Sequence, residues 1–247
     1  MSAASRRPIG ELPGDPARLH LTYTHGHPLR PWDDEDTLEC WHARISYGLD
    51  GDDDEQDEDP EETATDGLPA TPEPGSPVGR VILYRLRADT GRNRWRVADD
   101  HSGDLEVIAS AVLARNGRGY TTAFEDAVTL PAGDLLVLDR VRLAKEWRGF
   151  GLGPICAAEA IRRLSAGCCA VATYPAMAEY PADRQEVTEA YRSTAKKKIE
   201  ALWESIGFHP FKNGVWLLDP ALREPGDRLV ACRADLENLS ARWSRQR

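Results

Sequence analysis

The sequence predicts an α/β (α+β) domain, a mixed sheet flanked by helices. Three observations carry this reading. Short apolar runs of period two alternate with longer segments of helical period. Gly, Pro and Asn bound those runs. The strongest apolar run is followed at once by a glycine-rich turn and an alanine-rich helical segment.

Taken in order, residues 1–17 are rich in Pro, Gly and Arg and read as a flexible tail. ARLHLTYTH (17–25) alternates, with Leu19, Leu21 and Tyr23 on one face, and predicts a first strand. HPLRPWDD breaks it, and LECWHARISYG (38–48) predicts a second. An acidic and proline-rich connection follows over about 49–78, and its residues 50–66 hold eleven acids and no Lys or Arg. Such a composition buries too little apolar surface to offset its chain entropy, so disorder is expected. GRVILYRLRAD (79–89) predicts a strand, and DLEVIASAVLA (104–114) a helix with Leu105, Ile108, Ala109 and Leu113 on one face. DLLVLDRVRLA (134–144) is the best strand in the chain. Strict alternation would put Leu135, Val137, Asp139, Val141 and Leu143 on one face and Leu136, Leu138, Arg140 and Arg142 on the other. A helix then runs through Leu164 and stops at Gly167. CCAVATYP (168–175) reads as a buried strand with Cys168 and Cys169 on opposite faces. Residues 184–206 predict a long helix, with Ile199, Leu202, Trp203 and Ile206 on one face. HPFKNGVWLLDP predicts two strands around Lys212-Asn213-Gly214. Residues 221–247 predict a helical extension.

Composition narrows the partners. Of 247 residues, 41 are acidic and 31 are Lys or Arg, a net charge of -10. Without residues 50–66 the balance is 30 acids to 31 bases, a net of +1. The folded part is therefore near neutral, and no basic stripe points to nucleic acid. Lys196, Lys197 and Lys198 read as a solvated helix face. Five cysteines without a CxxC pair suggest reduced thiols in a cytoplasmic protein. No apolar signal region and no run of 18 apolar residues is present, so neither secretion nor a membrane is expected. His25 and His27 lack a third ligand at sensible spacing, so no metal is expected.

The chemistry concentrates at Arg148-Gly149-Phe150-Gly151-Leu152-Gly153, between strand and helix. A glycine-rich turn at a helix N-terminus brings backbone N–H groups and positive dipole character to a bound anion, phosphate above all. The P-loop pattern fails because no Lys-Ser or Lys-Thr follows. The dinucleotide pattern fails because Pro154 or Cys156 stands where its last glycine belongs. What remains is R-x-x-G-x-G, filled by Arg148, Gly151 and Gly153.

Here the sequence resembles the GNAT superfamily of acetyl-CoA-dependent N-acetyltransferases, whose signature reads like V-x-P-E-Y-R-G-x-G-I-G. This chain has Leu143-Ala144-Lys145-Glu146-Trp147 before Arg148 to Gly153, with Lys145 for the usual proline. A second family motif, an aromatic residue, three residues, then Gly-Phe, is matched by Trp203-Glu204-Ser205-Ile206-Gly207-Phe208. The resemblance covers residues 134–219 well and the first half only loosely. It implies a mostly antiparallel central sheet and acetyl-CoA as acyl donor. Backbone N–H groups of Arg148, Gly149, Phe150, Gly151, Leu152 and Gly153 would cradle the pyrophosphate. Main-chain groups of Val141, Arg142 and Leu143 would hold the pantetheine arm and thioester carbonyl. Phe150 and Leu152 side chains read as packing residues, and Arg148 alternatively as a structural salt-bridge residue. The acceptor would be an amine of a small molecule or peptide, and a homodimer is left open.

Acyl transfer to an amine needs a base, a stabilised oxyanion and a tolerated thiolate. Asp139 is the best base candidate, because an apolar strand face would raise its pKa. The bland alternative is a carboxylate paired with an arginine. Glu146 ranks lower. Trp203 stands where many family members carry an acidic tyrosine near the cofactor, and its indole cannot protonate sulfur. It reads more simply as an aromatic core anchor, leaving Tyr174 and Tyr191 as substitute acids. A second function class therefore stays open: a CoA-binding or interaction module that has lost turnover.

Overall fold

A computed structural model describes residues 7–27, 29, 36–48, 71–175 and 188–246. The strands are β1 (Leu19–His25), β2 (Leu38–Tyr47), β3 (Ser76–Leu86), β4 (Asp134–Leu143), β5 (Cys168–Thr173), β6 (His209–Pro210) and β7 (Trp216–Leu218). They form one seven-stranded sheet in the order β1-β2-β3-β4-β5-β7-β6. Neighbours are antiparallel except β4 and β5. That pair is parallel because a helix, α4 (Leu152–Leu164), returns the chain to the starting end of the sheet. The mixed, mostly antiparallel sheet agrees with the predicted class.

The other helices are α1 (Arg94–His101), α2 (Gly103–Val112), α3 (Thr122–Glu125), α5 (Glu189–Ser205) and α6 (Arg223–Ser244). Two cores result, one on each face. Ile155, Ala157 and Ile161 of α4, Trp203 of α5 and Leu239 of α6 pack on Ile45, Leu83, Leu136 and Leu138. On the opposite face Leu105, Ile108 and Val112 of α2 and Phe124 of α3 pack on Leu86, Leu135, Val137 and Ala172. Each short helix on that second face starts at a side-chain cap: Asn93, Ser102 and Thr121 accept from Arg96, Leu105 and Phe124 N–H groups. Cys168 and Cys169 fall in opposite cores, as alternation requires.

Several expectations need correction. Residues 7–17 are not a tail: two 3-10 turns, Ile9–Glu11 and Pro16–Arg18, lie under α6, and Ile9 and Leu12 are buried. Trp243 of α6 donates its indole N–H to the Leu12 carbonyl at 3.3 Å. The polar connection ends before Ser76, since residues 76–78 already belong to β3 and Val78 is buried. Its acidic run and residues 184–187 of the second long predicted helix lie outside the described residues. Helix α1 was not expected, because its charged sequence RWRVADDH hides Val97 and Ala98, its two buried apolar positions.

The alternation assigned to β4 also fails, at Asp139. Ile82 of β3 pairs with Arg140 and Leu83 with Leu138, so Asp139 is an extra residue with no partner in the β3 ladder. Such a bulge reverses the alternation beyond it. Val141 and Leu143 thus join Leu136 and Leu138 on the first core, while Leu135 and Val137 face the second.

Candidate functional site

The two halves of β4 have different neighbours. Residues 135–137 pair with β3 on one side and with β5 on the other, ending at Val137 and Ala172. One further tie follows, from the Thr173 hydroxyl to the Leu138 carbonyl at 2.9 Å. β4 then continues to Leu143 with β3 as its one paired strand among the described residues. Beyond Val137 the edge that faces β5 therefore carries no paired strand among the described residues, the arrangement that an extended guest needs. Val141 pairs with Val81 and Arg142 with Arg80, and both are half-buried.

The chain leaves β4 through a 3-10 turn, Lys145–Trp147, and the glycine turn. Trp147 is buried and its ring lies 5.8 Å from Tyr47, which anchors the turn on the first core. Phe150 and Leu152 are buried there too, so both act as packing residues. Gly149 and Gly151 have φ of 88° and 83°, the left-handed region where a Cβ is disfavoured. Gly153 lies inside α4, and a Cβ there would meet Val141 Cγ1 at an ordinary 3.8 Å. The turn needs its first two glycines for conformation, and no contact within the protein requires the third. Gly151 caps α4 without a side-chain hydrogen bond, and among the described residues no side chain closes the Leu152 and Gly153 N–H groups of its first turn. Pro154 in that turn has no N–H to leave unpaired. Arg148 is exposed, and its Nε donates to the Leu143 carbonyl at 2.6 Å, bracing the turn against the end of β4.

Asp139 lies on the α1–α2 side, the face of Leu135 and Val137, and the residues beyond the bulge turn away from it. Its carboxylate lies 3.2 Å from Arg140 Nε, and Arg140 reaches on to Asp104 of α2 at 3.7 Å. Burial raises the Asp139 pKa above the usual carboxylate range, with Asp104 adding to the rise and Arg140, His101 and Arg142 opposing it. Tyr84 and Cys40, partners across β2 and β3, border the same spot. Burial, with the charges of Cys40 and Asp139 behind it, pushes the Tyr84 phenol up to about 12. The Tyr84 ring meets His101 edge-on at 4.8 Å. Asp139 is thus paired with an arginine, the bland alternative, while burial still pushes its titration upward.

Tyr174 follows β5 and packs beside Gly214, whose Cβ would sit 3.1 Å from its ring, with Lys196 of α5 nearby. No contact among the described residues ties it to Asp139. Tyr191 lies near the start of α5, in a stretch whose side chains are outside the description. Glu146 is exposed on the 3-10 turn. Trp203 is buried against Phe208, ring centroids 6.1 Å apart. Its motif forms a helix stop: Phe208 N–H bonds the Trp203 carbonyl, Gly207 N–H bonds the Glu204 carbonyl, and Gly207 has φ of 99°. This is a Schellman arrangement with its hydrophobic contact, so the aromatic-x-x-x-Gly-Phe spacing has a structural cause independent of any ligand.

Sequence reasoning missed Arg7, which lies across the glycine turn, and the Tyr84, Cys40 and His101 surround of Asp139. The apolar pair Ile9 and Leu12 was the available signal for the first. The second depends on strand register. Among the described residues no group of three or more His, Cys, Asp or Glu could hold a metal, and no helix is long and apolar enough to cross a membrane. Comparison with known proteins finds no matching family model, no matching curated protein and no matching solved structure.

Proposed function

We propose that the chain is a GNAT-like N-acetyltransferase that moves an acetyl group from acetyl-CoA to a primary amine. The observation that carries this reading is the glycine turn: left-handed Gly149 and Gly151 at the uncapped N-terminus of α4, directly after a strand whose last residues have one open edge. Uncapped first-turn N–H groups suit a pyrophosphate, and an open strand edge suits the amide-bearing pantetheine arm. The donor would lie between them, its thioester near the bulge. Asp139 would take the proton as the amine nitrogen attacks the thioester carbonyl carbon. The C–S bond breaks and CoA leaves as a thiolate that takes up a proton. Nearby main-chain N–H would stabilise the oxyanion. The carboxylate is suited to this work because burial raises its pKa toward the operating range.

A second reading is supported by Trp203, a core residue where a proton-donating tyrosine is expected. On that reading the chain binds CoA and does not turn it over. A thiol-release assay with acetyl-CoA across amines, peptides and aminoglycosides separates the two. Thiol release with one acceptor class supports the enzyme. Silence throughout, beside calorimetric binding of acetyl-CoA, supports the module, and absence of binding rejects both.

A further inference from the structure

We infer that Arg7 is a positioning residue that straps the glycine turn into its ligand-binding shape; the ligand part of this inference rests on the function proposed above. Arg7 Nη1 lies 3.3 Å from each of three carbonyl oxygens, those of Lys145, Glu146 and Arg148. Its Nε donates to Glu11 at 2.8 Å, and Nη2 lies 2.7 Å from the same carboxylate. The guanidinium also lies 5.1 Å from the Phe150 ring centroid. A Cβ on Gly149 would meet Arg7 Cδ at 2.9 Å, so the stem runs against the turn itself.

These contacts determine which way the peptides of the turn face. A trans peptide is planar, with C=O and the following N–H pointing in opposite directions. Drawing the Arg148 carbonyl toward Arg7 therefore turns the Gly149 N–H to the opposite side. Gly149 has no Cβ to limit its rotation, so without the strap this peptide would sample other orientations. A guanidinium suits the task, with several donors on one rigid plane and a face that stacks on Phe150. Glu11 and the buried Ile9 and Leu12 hold the arm in place. The positive charge also sits behind a turn whose proposed guest is anionic.

The test compares wild type with Arg7→Ala, Arg7→Lys and Glu11→Gln in the full chain. Hydrogen exchange is read on peptides covering 145–153, and acetyl-CoA affinity by calorimetry. Arg7→Ala should speed exchange in the turn and weaken acetyl-CoA about tenfold, with melting temperature and exchange in β4 and α6 unchanged. In turnover the loss should fall on KM for acetyl-CoA, with kcat and acceptor KM kept. Arg7→Lys should recover part of the affinity, and Glu11→Gln should show a smaller loss in the same direction. Unchanged exchange in the turn, or equal affinity in wild type and Arg7→Ala, overturns the inference. A global rise in exchange would also overturn it, by making Arg7 a stability residue. Wild type that fails to bind acetyl-CoA, with exchange in the turn still dependent on Arg7, rejects the acetyltransferase reading while supporting the strap.

Discussion

The two halves of β4 share one strand and do opposite jobs. Leu135, Leu136, Val137 and Leu138 are fully buried, with partners on both sides as far as Val137. Residues 139–143 are half-buried, carry the bulge and keep one edge open among the described residues. The first half uses its backbone and side chains for cohesion. The second gives up a ladder on one side, and that is where the candidate chemistry gathers. Backbone donors and acceptors serve either a neighbouring strand or a ligand, so a sheet that binds along its edge must stop pairing first.

The largest contrast is expected just past the open half. Gly151→Glu forces a side chain into a left-handed position and sets a negative charge at the α4 N-terminus. Acetyl-CoA affinity should fall at least about a thousandfold by calorimetry, ~4 kcal/mol. Unchanged affinity would remove the cradle from this turn. Next comes cohesion: Leu136→Ala should cost about 3 kcal/mol in denaturant unfolding, and Leu143→Ala about 1 kcal/mol, because a half-exposed site leaves little cavity. Equal costs would break the distinction between the halves.

Asp139→Asn tests the bulge. Turnover should drop about a hundredfold with acetyl-CoA affinity kept, the range of a lost general base. Stability should move the other way. The folded-state pKa is raised above the ordinary 3.8, so the contribution of Asp139 is fully present below 3.8 and is lost as pH rises through the raised value. The asparagine variant should therefore melt higher than wild type at pH 7 and level with it below pH 3.8. A variant less stable at pH 7 would make Asp139 a structural carboxylate. The smallest effect is expected from deleting residues 50–66. Gly75 N–H already bonds the Tyr47 carbonyl at 2.7 Å, so the ends of the loop stay joined. Loop length enters closure entropy only logarithmically, and stability should change by less than about 1 kcal/mol, measured by denaturant unfolding.

Most strands and the long helices were legible because their apolar periods are local properties. Leu105 and Ile108 on α2, and Trp203 on α5 with Ile206 just past its end, declare a buried face without reference to anything distant. The glycine turn was legible for the same reason: few local structures require Gly149 and Gly151 so close together before a helix. What failed was whatever depended on a partner far along the chain. The reversal of faces at Asp139 arises from the register of β3 on β4, and nothing in DLLVLDRVRLA announces it. The packing of Trp203 on Phe208 likewise depends on the cap formed after α5.

The sequence by itself determined the class of fold, the order of the main elements and the position of the turn, because hydrophobic period and glycine conformation act over a few residues. Tertiary structure alone decided that Ile9 and Leu12 belong to the core and that Arg7 crosses 138 residues to reach the Lys145 carbonyl. It alone decided that Asp139 faces Tyr84 and His101 rather than Val141. Those outcomes depend on strand register and on packing between distant segments, where small differences in burial and pairing select one arrangement among many that the local pattern allows.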